Sequence, residues 1–251
     1  MQIVTFNLRC CWDDVDKENT FVSRAGGILL KIEQEKPDVI CFQEATDLNI
    51  AFLRKHLRDY YIIFNSRMPD LTGEGLAIAY NMEKAELFGL DVFWLSDTPD
   101  VPGSRFEIQS ECPRVCQVAL LKSESGKLFR ICNVHLDHES DEARILATKQ
   151  ILKFFGKIDL SIPFFIMGDF NALPDSKTIK YFSEYKSIPI VDLTKDIEVS
   201  YHGFGTVCEK IDYIFTSTDT SSLTEGITVW NDEKNGRYLS DHYPITLKID
   251  L

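Results

Sequence analysis

Phe164-Phe165-Ile166-Met167-Gly168-Asp169-Phe170-Asn171 is the stretch on which the reading of this chain turns. Its first four residues have the length and composition of a strand, and a glycine then leads into two polar residues around a phenylalanine. Gly168 lets another backbone segment approach closely, and Asp169 and Asn171, at i and i+2 in extended geometry, face the same side. Alone, an acidic residue after a strand is an ordinary turn former. The same arrangement, however, recurs along the chain. Asn7 follows Ile3-Val4-Thr5-Phe6, Gln43-Glu44 follow Asp38-Val39-Ile40-Cys41-Phe42, and His135 follows Arg130-Ile131-Cys132-Asn133-Val134. Asp212 opens a further run to Phe215, and Asp241-His242 stand just before the last one.

Working outward, apolar and β-branched runs at 3–6, 39–42, 61–64, 76–80, 115–121, 129–134, 164–167, 211–215 and 243–249 predict strands. Phe21, Ala25, Ile28, Leu29 and Ile32 form a helical stripe that ends before Pro37. Ile145, Thr148, Ile151, Leu152 and Phe155 form a second, preceded by acidic residues suited to a helix N-terminus. Shorter helices are expected at 48–57 and 176–182. The stretches 67–75, 97–103, 199–209 and 231–238 read as surface loops of the kind that shape substrate access. With no repeats or long linkers, residues 1–251 are taken as one domain. Many strands and fewer helices imply a layered α/β or α+β architecture with antiparallel sheets.

Composition narrows the functional classes. Of 251 residues 44% are hydrophobic and 26% charged, ordinary for a globular protein. No apolar run is long enough to span a bilayer, and the first residues read directly as a strand, so a cytoplasmic protein without membrane attachment is expected. The seven cysteines are odd in number. Cys112 and Cys116 lack a second pair at zinc-site spacing, and Cys41 and Cys132 lie inside apolar runs as core residues. The net charge of −12, without a visible Lys/Arg cluster, disfavours duplex nucleic acid as a partner.

Carboxylates, amides and histidines at strand ends match the needs of phosphoester hydrolysis. Hard cations take oxygen ligands, and such a cation works beside a base or a group that orients water. Singly, Asn7 reads as an Asx-turn residue, Glu44 as a turn former, Asp212 as a carboxylate bonded to backbone, and His135 and His242 as structural histidines. Their joint occurrence at strand ends is what those readings explain poorly.

Six ordered pieces resemble the endonuclease/exonuclease/phosphatase superfamily, the DNase I-like hydrolases. They are Thr5-Phe6-Asn7, Pro37 to Glu44, Asn133-Val134-His135-Leu136, Gly168 to Asn171, Ile211 to Ile214 and Ser240 to Ile245, so the resemblance covers nearly the whole chain. It implies a four-layer αββα sandwich with its site at one end of the packed sheets. It also implies Mg²⁺ or Mn²⁺ held by Glu44, with Asn7 and Asp241 completing or adjoining the site. Asp169 and Asn171 would orient water and bind the scissile phosphate. His242, positioned by Asp212, would contact the phosphate; His135, partnered by Glu74, would be a second phosphate ligand or leaving-group acid. These two carboxylate–histidine pairs would present positive charge to the phosphate. Arg114 occupies the family's place for a basic phosphate contact. Trp94–Pro99 and Tyr201–Phe204 are similar to stretches of compact bacterial members, which would let His202 line the site. Trp12 would stack on a substrate ring or cover the core, and Arg24 would tether nearby carboxylates.

The fold serves many substrates, so its likeness does not name one. The expectation is a monomeric phosphoesterase acting on a small or single-stranded phosphodiester or a phosphomonoester. Its alternatives are a DNA endonuclease or apurinic-site nuclease, and a non-catalytic module that binds phosphate esters.

Overall fold

The computed structural model describes residues 1–10, 16–234 and 236–251, so Trp12 lies outside the described residues. The first strands are β1 (Gln2–Asn7), β2 (Val39–Ala45), β3 (Tyr60–Ser66), β4 (Gly75–Asn81) and β5 (Ala85–Trp94). Next come β6 (Val115–Ser123), β7 (Leu128–His135), β8 (Phe164–Asp169), β9 (Ile190–Asp192) and β10 (Asp212–Ser217). Last are β11 (Thr224–Val229), β12 (Glu233–Lys234), β13 (Arg237–Tyr238) and β14 (Ile245–Ile249). The helices are α1 (Phe21–Glu35), α2 (Asp47–His56), α3 (Asp141–Phe155), α4 (Lys177–Ser183) and the short α5 (Thr218–Ser221). The stretch 231–238, read from sequence as loop, contains the small β12–β13 hairpin.

Two six-stranded sheets form, in the orders β11-β14-β1-β2-β4-β3 and β5-β6-β7-β8-β10-β9. Both are mixed, which corrects the expectation of antiparallel sheets. Each has a parallel pair at its centre, β1–β2 and β7–β8, with antiparallel neighbours on either side. Parallel neighbours require a crossover, and α1 and α3 supply them. The Thr20 side chain caps α1 by accepting from the Ser23 N–H, and Lys36 ends it in the left-handed region just before Pro37. Ser140 caps α3 in the same way, with Asp141 and Glu142 in its first turn.

Period-two alternation sorts the side chains into layers. Along β1, Ile3 faces the opposite sheet, while Val4 and Phe6 pack beneath α1 against Phe21, Ala25 and Ile28. Along β8, Phe165 and Met167 face between the sheets, and Phe164 and Ile166 meet Ile151 and Phe155 of α3. Burying each such side chain stabilises the fold by about 1.5–3 kcal/mol before entropy is counted. The outcome is an αββα sandwich, α1 and α2 on one sheet and α3 and α4 on the other.

This topology gathers the polar strand ends. The strands of each central pair finish at one edge, bringing Asn7, Glu44, His135 and Asp169 to one end of the sandwich. β10 and β14 run antiparallel to β8 and β1, so they start at that edge and add Asp212 and Asp241-His242. The close approach inferred for Gly168 is real. A Cβ there would sit 1.9 Å from the Val134 carbonyl oxygen on the neighbouring strand.

Candidate active site

The site continues the inter-sheet core, with polar residues in place of apolar ones. In β1, β7, β8 and β10 the residues two or four positions away from Asn7, His135, Asp169 and Asp212 face between the sheets, among them Ile3, Ile131, Met167 and Ile214. Alternation therefore points the four polar side chains inward. Beneath them Gln43 donates to Asn133 Oδ1 (2.7 Å) and to the Thr5 hydroxyl (3.1 Å), and Gln117 donates to Asn65 (2.7 Å). Asn133 in turn donates to the carbonyls of Phe42 and Ala77 at 3.0 Å each. This satisfied layer ties the two sheets together directly under the site.

Glu44 reaches the cleft through a bulge. Phe42 pairs with Ala77 but Ala45 with Gly75, so β2 carries one extra residue relative to β4, and Glu44 has a φ of 51°. Without the extra residue, alternation would send Glu44 with Phe42 toward the helices; the bulge re-aims it. The Cys10 backbone N–H donates to Glu44 Oε2 at 2.9 Å. Burial alone would raise the Glu44 pKa, but that N–H, together with His242 and Arg9, outweighs it and holds the carboxyl below its usual value.

Asp169 is the centre, 2% exposed. The Asn7 side chain donates to its Oδ2 at 3.0 Å and to Glu44 Oε1 at 3.1 Å, so the amide bridges the two carboxylates. His135 Nε2 and His242 Nε2 lie 3.6 and 3.8 Å from the same oxygen. The Asn171 N–H donates to Asp169 Oδ1 at 2.8 Å, and its side chain donates to the Leu136 carbonyl at 3.0 Å. Asn171 has a φ of 47°, so this pair is fixed by a left-handed turn and not by the extended geometry read from the sequence. Burial, and then Asp212, push the Asp169 carboxyl up to about 7, against the pull of His242.

The two histidines are in opposite electrostatic states. His242 Nδ1 is 2.8 Å from Asp212 Oδ2; burial opposes its charge, but Asp212, Asp241 and Asp169 prevail and raise it to about 10. His135 is driven well below its ordinary value by burial, then by Arg114 and Arg67. The implied Glu74–His135 pair is not formed as a hydrogen bond. Their nearest atoms are 3.9 Å apart, and Arg67 clasps both Glu74 oxygens at 2.6 and 2.8 Å. The expectation that both histidines carry positive charge is thus corrected for His135.

Asp241 stands at the cleft's other side, 3.6 Å from Arg9 Nε, with its pKa raised by burial and by Glu44. Arg114 lines the cleft opposite and donates from Nη2 to His138 Nδ1 at 3.0 Å. His202 does not line it. The residue is 3% exposed; its ring stacks 4.1 Å from Tyr243 and lies tilted 4.5 Å from Tyr238, while its backbone N–H donates to the Asp241 carbonyl. Arg24 holds no carboxylate among its described contacts. It donates to the carbonyls of Asn19, Leu8, Arg9 and Leu239, joining the segment after β1 to the one before Ser240. Arg9, Arg67 and His138 line the cleft without having been singled out from sequence. Arg67 had a usable signal, since it stands immediately after a strand and opens the loop that ends in Gly73-Glu74-Gly75.

The cleft holds about 470 Å³. A larger hollow of about 790 Å³ lies between α1 and the β12–β13 hairpin, but Asn7, Glu44, His135, Asp169, Asp241 and His242 do not line it. The chemistry, not the size, marks the site. Glu44, His135 and Asp169 offer ligand atoms within 4.8 Å of one another, as do Asp169, Asp212 and His242. Among the described residues no helix is long and apolar enough to cross a membrane.

Comparison with known proteins agrees with this fold. An uncharacterized protein of Acanthamoeba polyphaga mimivirus is 34% identical over 156 residues, or 58% of this chain; the match spans 57% of that relative's length. A solved endonuclease/exonuclease/phosphatase from Bacteroides vulgatus superposes with a TM-score of 0.90 at 26% identity, covering 99% of this chain and 98% of that one. A mannosyl-6-phosphatase from Bacteroides thetaiotaomicron superposes over 100% of both chains with a TM-score of 0.86 at 22% identity. The profile of the Endonuclease/Exonuclease/phosphatase family matches residues 4–242, so the chain belongs to that family.

Proposed function

We propose that the protein is a divalent-metal-dependent phosphoesterase that cleaves a compact or single-stranded phosphate ester by in-line attack of water. The observation that carries this reading is the buried Asp169 carboxylate, faced by Asn7, His135 and His242 with Glu44 adjacent. The donor set fits a hard cation. Burial raises Asp169 and Asp241, Asp212 adds to the first and Glu44 repels both, and Mg²⁺ or Mn²⁺ would offset that repulsion. Glu44 would hold the ion, with Asp241 and Asn7 adjoining. When bound, it supplies Lewis-acid charge to the phosphoryl oxygens.

The protein's own groups supply the remainder. Asp169, oriented by the Asn171 N–H and the Asn7 amide, positions the attacking water and takes its proton; a carboxylate held near neutrality suits that role. His242, kept cationic by Asp212, stabilises charge that builds on the phosphoryl group. Neutral His135 donates a hydrogen bond toward the leaving oxygen, and Arg114 contacts the phosphate. The net charge of −12 favours compact substrates over duplex DNA. The likeness to a mannosyl-6-phosphatase makes sugar phosphates a first group to assay.

The test is an activity screen with Mg²⁺ or Mn²⁺ over nucleotides, oligonucleotides, sugar phosphates and phospholipid head groups, with a chelator control. Turnover that the chelator abolishes is expected. Turnover that survives complete chelation would overturn the metal dependence, and no turnover on any member would favour a non-catalytic ester-binding module.

A further inference from the structure

Asp212 and His242 come from different sheets. Asp212 opens β10 in one, and His242 stands just ahead of β14 in the other. The 2.8 Å contact between Asp212 Oδ2 and His242 Nδ1 therefore depends on how two sheet ends are held to each other. On the side of β10 away from β8, β9 pairs only with Phe215, Thr216 and Ser217, so Asp212 lies beyond the end of that ladder. A strand neighbour holds it on one side alone.

Ser200 spans the gap. It belongs to the stretch 199–209, which the sequence marks as a surface loop, yet the residue is fully buried. Its hydroxyl oxygen accepts from two successive backbone N–H groups, Ile211 at 3.0 Å and Asp212 at 2.9 Å. Its carbonyl accepts from the Tyr243 N–H at 2.7 Å, and the His202 N–H donates to the Asp241 carbonyl at 2.9 Å. Those last two bonds form an antiparallel bridge that sets Tyr201 opposite His242. One residue is thus bonded to the backbone of both partners' segments. The N–H groups of Ser200 and Tyr201 both donate to the Glu209 carbonyl at 2.9 Å, which fixes the span itself.

The two halves of this linkage differ in kind. Any residue at position 200 would supply the carbonyl. The acceptor for Ile211 and Asp212 needs a side-chain oxygen one bond beyond Cβ. Without it, two buried N–H groups lose their partner, and the start of β10 shifts toward another acceptor. The Asp212 carboxylate moves with that backbone, and a hydrogen bond weakens steeply as its geometry is lost.

We propose that Ser200 is a positioning residue whose hydroxyl fixes the start of β10 so that Asp212 stays within hydrogen-bond reach of His242. Its effect on turnover rests on the phosphoesterase reading above; its effect on the pair does not. Ser200 does not line the cleft, so it acts on the reacting phosphate only through Asp212 and His242.

The test uses Ser200→Ala and Ser200→Thr in the full chain, with two readouts. Proton NMR, without substrate, follows the His242 Nδ1–H, which resonates far downfield when bonded to a carboxylate. The signal is expected in wild type and Ser200→Thr, and lost or moved upfield in Ser200→Ala. Turnover is measured with Mg²⁺ on p-nitrophenyl phosphate or its methyl ester, whichever is cleaved faster. Ser200→Ala should lower kcat by about 10- to 100-fold with KM within about threefold, and Ser200→Thr should stay within about fivefold of wild type. On an Asp212→Asn background, Ser200→Ala should cost less than about threefold more, because the group it positions is already gone. An unchanged His242 signal in Ser200→Ala overturns the proposal. So does an equal loss of kcat on both backgrounds, which marks a merely structural role, or a loss in Ser200→Thr as large as in Ser200→Ala. Should Ser200→Ala not fold, Ser200→Cys, with a weaker acceptor in the same place, is judged by the same outcomes. Failure to cleave any phosphate ester would overturn the phosphoesterase reading, and the NMR signal would still decide whether Ser200 holds the pair.

Discussion

His135 and His242 approach the same Asp169 oxygen at 3.6 and 3.8 Å, both buried, yet one is neutral and the other cationic. The difference lies in what stands behind each ring. Asp212 is 2.8 Å behind His242, within hydrogen-bond reach of its Nδ1. Glu74 is 3.9 Å behind His135 and already clasped by Arg67, so that ring meets positive charge without a bonded counter-ion. A histidine's role in a buried site is therefore set by its second neighbour as much as by its target. One side of the cleft delivers charge through an imidazolium. The other delivers it through guanidinium groups and leaves its imidazole as a neutral hydrogen-bonding group.

The strongest way to break this comparison is to remove what the two rings share. Asp169→Ala should lower kcat by about a thousandfold or more while the fold is retained by circular dichroism. His242→Ala should approach that loss; near-wild-type rates in either variant would sink the mechanism. Asp212→Asn tests the origin of the charge. Against burial, Asp212 together with Asp241 and Asp169 raises the His242 pKa from 6.5 to about 10, so loss of the Asp212 charge lets the ring deprotonate as pH rises through a lower value. The alkaline limb of the pH–rate profile should move down by more than about one unit, and an unmoved limb would exclude an essential imidazolium.

Arg67→Ala would make the two sides more alike. Glu74 is then free to turn to His135, and removal of the guanidinium raises that ring's pKa. A His135 ring that protonates at higher pH than in the wild type, followed by NMR, and roughly tenfold slower turnover are expected. The smallest effect belongs to the third buried histidine. His202 meets aromatic rings and no carboxylate among its described contacts, and burial lowers it to about 4. His202→Phe should leave kcat within about twofold and stability within about 1.5 kcal/mol. A large loss of activity would show that its ring, and not only its backbone bond to Asp241, serves the site.

Much of this was legible in the chain because burial repeats with a short period. The strands expected at 39–42 and 164–167 lie at sheet centres, where both faces are covered and the apolar run is nearly continuous. Ala85–Trp94 and Thr224–Val229 escaped notice for the converse reason. They are edge strands, and Phe88 and Leu90 stay exposed among Glu86, Gly89 and Asp91. Such a segment satisfies fewer neighbours, and its pattern is correspondingly weak. The carbonyls that Arg24 meets were not legible, because sequence shows a charge but not its surroundings. Its guanidinium found backbone carbonyls in two segments more than two hundred residues apart.

By itself the sequence determined which residues end the strands and which chemistry those residues can perform. Alternation dictates that Asn7, His135, Asp169 and Asp212 turn inward, and this is a local property of extended chain. Only the tertiary structure decided how they meet. The parallel pairs bring their ends to one edge, a bulge swings Glu44 into the cleft, and a left-handed turn locks Asn171 to Asp169. It also decided the charge on each histidine and left Arg114 buried without acceptors for two of its nitrogens among the described residues. The physical reason is range. Secondary structure follows from neighbours along the chain, whereas a buried group's ionisation depends on charges a few ångströms away in space, wherever in the sequence they originate.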